Sequence, residues 1–374
     1  MDSFLTNVER LMRKTCKRGL LEIMKEKYNQ QRQTWVDCAK AVAIMAVDHC
    51  NGMLYSNSMI AQASYFSVSL FVLLSGFTTW ISDTYRPRDM KKALQKVGTM
   101  YSQYAAATFV LVCFYIRFWD FKTYFEYLLN FSIIPPFYFF VFFIQLLIIS
   151  PVLLWWCKYC GGQRYGWLLH IFTLLFLCLL SSACIQYTYI LPVHGGGRFL
   201  FGGTYIILYY MGIVLGSSGI FNGAGRNKVL RLIIAILLWA VWLLGCYWQK
   251  LPFDQWLSKY WGDGFNPPSV LFIVFAMITL FLLHALFSVL EESSIRFFRG
   301  IVGLFSWIGR RTLYIFMYHW MIRDMIFPYV NGMNRWIVRF LVFVPMIILP
   351  AIAADIIKML KRFVKRNTIE NNGI

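Results

Sequence analysis

The chain has 374 residues, of which 59% are hydrophobic, 19% aromatic and 14% charged. A soluble globular protein carries about 25% charged residues, so a soluble enzyme and a disordered chain are both excluded. The net charge of +19, from 36 Lys and Arg against 17 Asp and Glu, accompanies too much apolar sequence to indicate nucleic-acid binding. It points to the cationic loops of a polytopic membrane protein.

Residues 1–34 lack the apolar core of a secretory signal. They place Phe4, Leu5, Val8, Leu11 and Met12 at helical spacing among eight Lys and Arg. Two readings stand: a basic amphipathic cytoplasmic segment on an anionic membrane surface, or a frayed basic tail. Ten apolar stretches then follow, each of about the 20 residues that a bilayer requires. They lie near 35–55, 60–81, 100–119, 137–156, 165–187, 199–215, 229–248, 270–289, 312–328 and 337–356. The expected fold is all-α, a polytopic membrane bundle of about ten transmembrane helices. Residues 35–356 form its transmembrane domain and 357–374 a basic cytoplasmic tail. With the N-terminus inside, the inner segments hold 27 of the 36 cations and the outer ones eight. That sorting puts both termini in the cytoplasm of a multi-pass plasma (inner) membrane protein.

The nine cysteines are scattered. Cys157 and Cys160 form the one close pair, with no second pair to complete a zinc site, and no metal is expected.

Ionisable groups within spans are costly and mark cavities or partners. The stretch WVDCAKAVAIMAVDHC (35–50) places Asp37, Lys40, Asp48 and His49 on one helix. Asp37 and Lys40 stand three apart and can pair near the inner boundary, or Lys40 snorkels there. Asp48 and His49 lie about 20 Å along the helix from Trp35, in its outer half. A neutral imidazole in a low-dielectric pocket is a general base for a hydroxyl, and a nearby carboxylate raises its basicity. The alternative is a histidine hydrogen-bonded between helices. His319, in RRTLYIFMYHWMIRD (310–324), is a second catalytic candidate with the same alternative. His170 and His284 read as packing residues. His194 and Arg198 fall in LPVHGGGRFLFGG (191–203), either a substrate-edge loop or a plain flexible turn. Arg86, Arg88, Lys91, Lys92 and Lys96 crowd the loop at 82–98. Such a cluster suits a phosphate-rich donor such as coenzyme A, although topology alone also calls for cations there.

At these residues the chain resembles the acyltransferase family 3 membrane O-acyltransferases. The motifs run in order from about 35 to 356: the Asp-x-x-Lys start of span one with its outer His, SLFVLLSGF (69–77), PPFYFFVFFIQLLIISPVL (135–153), YYMGIVLG (209–216) as a Gly-x-x-x-Gly-type turn, and IGRRTLYIFMYHWM (308–321). The resemblance implies transfer of an acyl group, commonly acetyl from cytoplasmic acetyl-CoA, to a hydroxyl of an outer-facing glycan or similar acceptor. His49 takes the place of the essential catalytic residue, tuned by Asp48, and Lys40 that of the family's basic residue. The acyl-CoA is expected against Arg86, Arg88, Lys96, Arg310 and Arg311, with a cavity between spans one, two and nine. Asp37, Lys40, Ser75, Tyr138, Gln145, His194 and Arg198 are expected on the substrate side. Ser75 and Gly76 read as a close-packing pair in preference to a nucleophile.

Two features depart from the family pattern. Its basic residue commonly precedes the His by eleven positions, whereas Lys40 precedes His49 by nine, half a turn out of phase. At the entry to span three, LQKVGTMYSQY leaves Lys96 without a second cation. Direct transfer and a covalent acyl-enzyme are both open. The competing classes are a transporter of a glycan or lipid precursor and a membrane sensor that reuses the fold.

Overall fold

The computed structural model describes residues 33–51, 64–116, 120–186, 202–221, 227–248, 270–330, 333 and 335–371, some near helix ends by their backbone alone. All regular secondary structure among them is helical. In chain order the α-helices are α1 (Thr34–Asn51), α2 (Ser67–Tyr85), α3 (Met90–Ile116), α4 (Phe121–Asn130), α5 (Tyr138–Gly161), α6 (Gly166–Gln186), α7 (Ile206–Ser218), α8 (Lys228–Trp248), α9 (Val270–Glu291), α10 (Arg296–Gly309), α11 (Thr312–Val330) and α12 (Arg335–Asn371).

Each of the ten expected stretches holds a helix, and five candidate membrane spans satisfy both length and composition: Met90–Ile116, Pro135–Gly161, Lys228–Gly245, Phe272–Glu291 and Phe340–Val364. Two apolar helices are shorter, Gly166–Ser181 and Ile206–Ser218. The rest are the polar-bearing helices. α1 carries Asp37 and Lys40, α2 a series of Ser and Thr, and α11 His319, Arg323 and Asp324. Polar groups in a membrane protein belong on interior faces, and Asp37, Ser67, Thr79, His319 and Arg323 are all buried.

Two helices arise where loops are expected. α4 starts at Asp120, whose carboxylate accepts hydrogen bonds from the backbone N–H groups of Lys122 and Thr123, an N-cap. α10 occupies the stretch between spans eight and nine, with Phe297 and Leu304 exposed and Val302, Ser306 and Ile308 buried. An amphipathic helix has no continuous apolar window, so span counting passes over it. α3 also begins earlier than its apolar run. The Asp89 carboxylate accepts from the Lys92 N–H at 2.8 Å, so Lys91, Lys92 and Lys96 belong to the first turns of a helix and not to a loop.

α2 and α7 cross in close contact. A Cβ on Gly76 would stand 1.9 Å from the Tyr209 carbonyl oxygen, and one on Gly212 2.0 Å from that of Leu73. Gly216 faces Trp80 in the same way, with its hypothetical Cβ 3.0 Å from the Trp80 Cβ. YYMGIVLG is therefore a helix-packing face within α7, not a turn. Beside this crossing, the rings of Phe142 and Tyr205 stack at 3.8 Å. The end of α10 seats against α1 by the same device, since a Cβ on Gly309 would stand 1.8 Å from the Asp37 carbonyl oxygen.

Candidate functional site

A cavity of about 560 Å³ lies between α1, α2, α3, α5 and α11. Helical periodicity selects its walls. α1 contributes Lys40 and Val47, seven apart and so on one face. α2 presents the stripe Ser67, Phe71, Ser75, Thr78 and Thr79, and α3 the stripe Lys96, Thr99, Met100 and Gln103. Tyr138, Phe139 and Phe143 close it from α5, with Pro135 and Pro136 just before that helix. Thr312, Leu313 and Phe316 line it from α11. Twelve residues separate Ser67 from Thr79, so the cavity extends about 18 Å along the helices. The sequence expectation of spans one, two and nine is thus widened by α3 and α5.

The cavity is polarised along that length. At one end stand Lys40, Lys96 and Thr79. Behind Thr79 lies Arg88, whose Nη1 donates to the Thr79 hydroxyl at 3.3 Å and to that of Ser150 at 3.2 Å. Thr79 also shares a hydrogen bond of 2.8 Å with the Tyr209 hydroxyl. Arg88 is held there by a folded turn. The buried Asp83 accepts its backbone N–H at 2.5 Å and pairs with Lys158 at 2.5 Å. Among the described lining residues there is no Asp or Glu. The opposite end, around Val47, Ser67, Tyr138 and the two prolines, carries hydroxyls and apolar groups without a described cation. Between the ends runs an aromatic wall in which Phe139 contacts Phe316 at 5.3 Å and stacks on Phe143 at 5.1 Å.

Of the residues singled out in the sequence, Lys40, Lys96, Ser75 and Tyr138 line this cavity, and Arg88 adjoins it through Thr79. The others are dispersed. Asp37 is buried under Gly309. Arg86 is exposed. Arg310 is exposed too, with its Nε donating to the Ser306 carbonyl at 3.1 Å. Arg311 pairs with Asp355 and lies over the Trp307 ring. Gln145 accepts the Gly202 N–H at 2.9 Å and so anchors the turn that leads into α7. His319 is fully buried. Its Nδ1 donates to the carbonyls of Phe316 at 2.8 Å and Ile315 at 3.1 Å, which fixes the tautomer because a carbonyl only accepts. His319 is not among the cavity-lining residues.

Asp48 and His49 fall on the described backbone of α1, but their side chains lie outside the described residues. α1 is unbroken to Asn51, so positions 40 and 49 keep the half-turn offset read from the sequence. His194 and Arg198 also lie outside the described residues. His170 bonds the Tyr210 hydroxyl at 2.9 Å, and His284 packs on Trp35 and Phe221 at 4.9 and 4.7 Å between centroids.

Sequence reading passed over Thr78, Thr79, Thr99 and Gln103. The signal was present, since Lys96, Thr99 and Gln103 stand at i, i+3 and i+7, one polar stripe on an otherwise apolar helix. It also passed over a cluster on α11. Arg323 Nε donates to Asp324 at 2.7 Å, its guanidinium stacks on Trp320 at 3.6 Å, and Asp324 accepts the Tyr115 hydroxyl at 2.7 Å. No group of three or more His, Cys, Asp or Glu able to hold a metal occurs among the described residues.

A family model described as "Acyltransferase domain", that of the acyltransferase 3 family, matches residues 33–355. Comparison with the curated proteins and with the solved structures finds no match.

Proposed function

This chain belongs to the acyltransferase 3 family, and on that premise we propose that it moves an acyl group, acetyl by our reading, from cytoplasmic acyl-CoA to a hydroxyl of an outer-facing glycan or similar acceptor. The observation that carries the proposal is the polarised cavity. A coenzyme A thioester has a phosphate-rich head and a long thin arm. Lys40, Lys96 and Arg88 supply cations at one end of a channel that is otherwise aromatic and hydroxylic. From its phosphate to its sulfur the extended pantetheine arm has thirteen bonds, about 16 Å in length. Position 49 lies nine residues beyond Lys40, about 13.5 Å along α1. A head held at the lysines therefore brings the thioester to the level of His49. That level is two residues short of Asn51, the last described residue of α1, and half a turn round the helix from Lys40.

In this reading His49 takes the proton of the acceptor hydroxyl as its oxygen bonds the acyl carbon. The carbon–sulfur bond breaks, and the proton passes on to the departing coenzyme A thiolate. Asp48 stabilises the imidazolium. The chain crosses the plasma membrane ten times with both termini cytoplasmic, so that the cationic end of the cavity opens toward the acyl-CoA pool.

The test is acetyl transfer or hydrolysis from labelled acetyl-CoA by the purified protein in detergent. His49→Ala is expected to abolish turnover without altering the melting temperature. Full turnover in that variant removes His49 from the mechanism. Mass spectrometry of cell-surface glycans with and without the protein then identifies the acceptor by the loss of an acetyl-sized increment.

A further inference from the structure

The hydroxyls and the amide that line the cavity are arranged in a way that the acyl-transfer reading leaves unused. Gln103 faces the cavity from α3, and its carboxamide makes no hydrogen bond with the described residues. It offers two donors and one acceptor. Ser75 donates to the Phe71 carbonyl at 2.7 Å and Thr99 to that of Gln95 at 2.9 Å. Each hydroxyl has thus spent its proton within its own helix and turns only acceptor lone pairs to the cavity. Polar groups that line a cavity favour a ligand that returns their missing partners. The complement here is a chain with N–H donors for Ser75 and Thr99 and a carbonyl for Gln103.

Thr99 and Gln103 are four residues apart, close to one helical turn, or about 6 Å. Two secondary amides joined by a two-carbon spacer have their nitrogens four bonds apart, about 5 Å when extended. The pantetheine arm carries that pair. We infer that Gln103 and Thr99, with Ser75, read the two amides of the donor's pantetheine arm, Gln103 the amide nearer the sulfur and Thr99 the farther one. This rests on the acyl-CoA reading above and extends it. The cations select the phosphates, and the α3 stripe selects the arm whether or not phosphates are attached.

Three donors separate the contacts in steady-state kinetics with the full-length protein in detergent. They are acetyl-CoA, acetyl-pantetheine, which lacks the phosphates, and the acetyl thioester of N-acetylcysteamine, which keeps only the sulfur-proximal amide. Gln103→Met is expected to raise KM about tenfold for all three, the effect of one hydrogen bond, with kcat within twofold. Thr99→Val is expected to raise KM for the first two and to spare the third. Gln103→Glu, which keeps the shape and loses both donors, reports the same contact if Met at 103 is not tolerated. An unchanged KM in the Gln103 variants, or a Thr99→Val penalty equal for all three donors, overturns the inference while the donor reading stands. A wild-type protein that turns over none of the donors and binds no coenzyme A overturns the donor reading and this inference with it.

Discussion

Lys40 and Lys96 place two ammonium groups on the wall of one cavity, an arrangement that favours an anion there. If that anion is the phosphate of the donor, Lys96→Ala is expected to raise KM for acetyl-CoA 10- to 100-fold, the range for a lost charge-assisted hydrogen bond. It is expected to leave KM for acetyl-pantetheine within twofold and to flatten the salt dependence of KM. Equal penalties for both donors would place Lys96 in a structural role. The two lysines were legible in the sequence separately, Lys40 as a charge within a span and Lys96 as one cation of a loop. Their sharing a cavity was not. Lys96 lies in a stretch where hydropathy is low, near the Asp89-capped start of α3, and its place on the cavity wall beside α1 and α2 is a matter of tertiary packing. The dispersal of Arg310 and Arg311 was not legible either. Arg311 meets Asp355 from forty-four residues away, a pairing that no local pattern announces.

At the scale of elements, glycine decides which helices can approach. At Gly76 and Gly212 the space for a Cβ is already filled by main-chain carbonyls on the facing helix, and backbone cannot rotate aside as a side chain does. Gly212→Val is therefore expected to cost at least about 3 kcal/mol, the upper range for overpacking, read as a lowered melting temperature in detergent. At Gly98, where nothing lies within 4 Å of the added atom, Ala is expected to be neutral or slightly stabilising. A Gly212→Val protein as stable as wild type would disprove the crossing. The apolar helices were readable because a bilayer demands length and hydrophobicity together. α4 and α10 were not, because each is amphipathic and their evidence lies in caps and faces. The Asp120 cap adds a pH dependence. Hydrogen bonds from the Lys122 N–H and the Thr123 hydroxyl hold its carboxyl below the usual carboxylate range. A depressed folded-state value means that the capping stabilisation is present above the ordinary carboxyl pKa and is lost as pH falls through the lowered one. Amide exchange in the first turn of α4 is thus expected to be fast in Asp120→Ala at any pH. In wild type it should accelerate, relative to the intrinsic rate, only below about pH 4.

For the whole molecule, orientation and mechanism are one question. The cavity has a cationic end and a neutral end, and the proposed donor, acyl-CoA, is available on one side of the membrane only. In the proposed topology, 27 of the 36 cations fall in alternate, inner segments, the arrangement that the positive-inside rule favours. The proposed orientation turns the Lys40–Lys96 end of the channel toward the cytoplasm; Lys96 is one of the 27 counted cations and Lys40 stands outside that count. If either deduction fails, the other loses its purpose, because a cationic mouth facing outward would meet no coenzyme A. Reporter fusions resolve the matter. A reporter active only in the cytoplasm is expected to work when joined after Ile374 and when inserted near Arg86. It is expected to fail near Trp256, in the sequence segment between spans seven and eight that the proposed topology puts outside, where a reporter active only outside should succeed. Activity of the cytoplasmic reporter at Trp256 would remove one crossing from the count and reverse every segment beyond it. An external C-terminus combined with retained turnover of acetyl-CoA would be more damaging. It would require the donor to reach the catalytic level from the neutral end, past Tyr138 and the two prolines, and the lysines would then have no part in holding it.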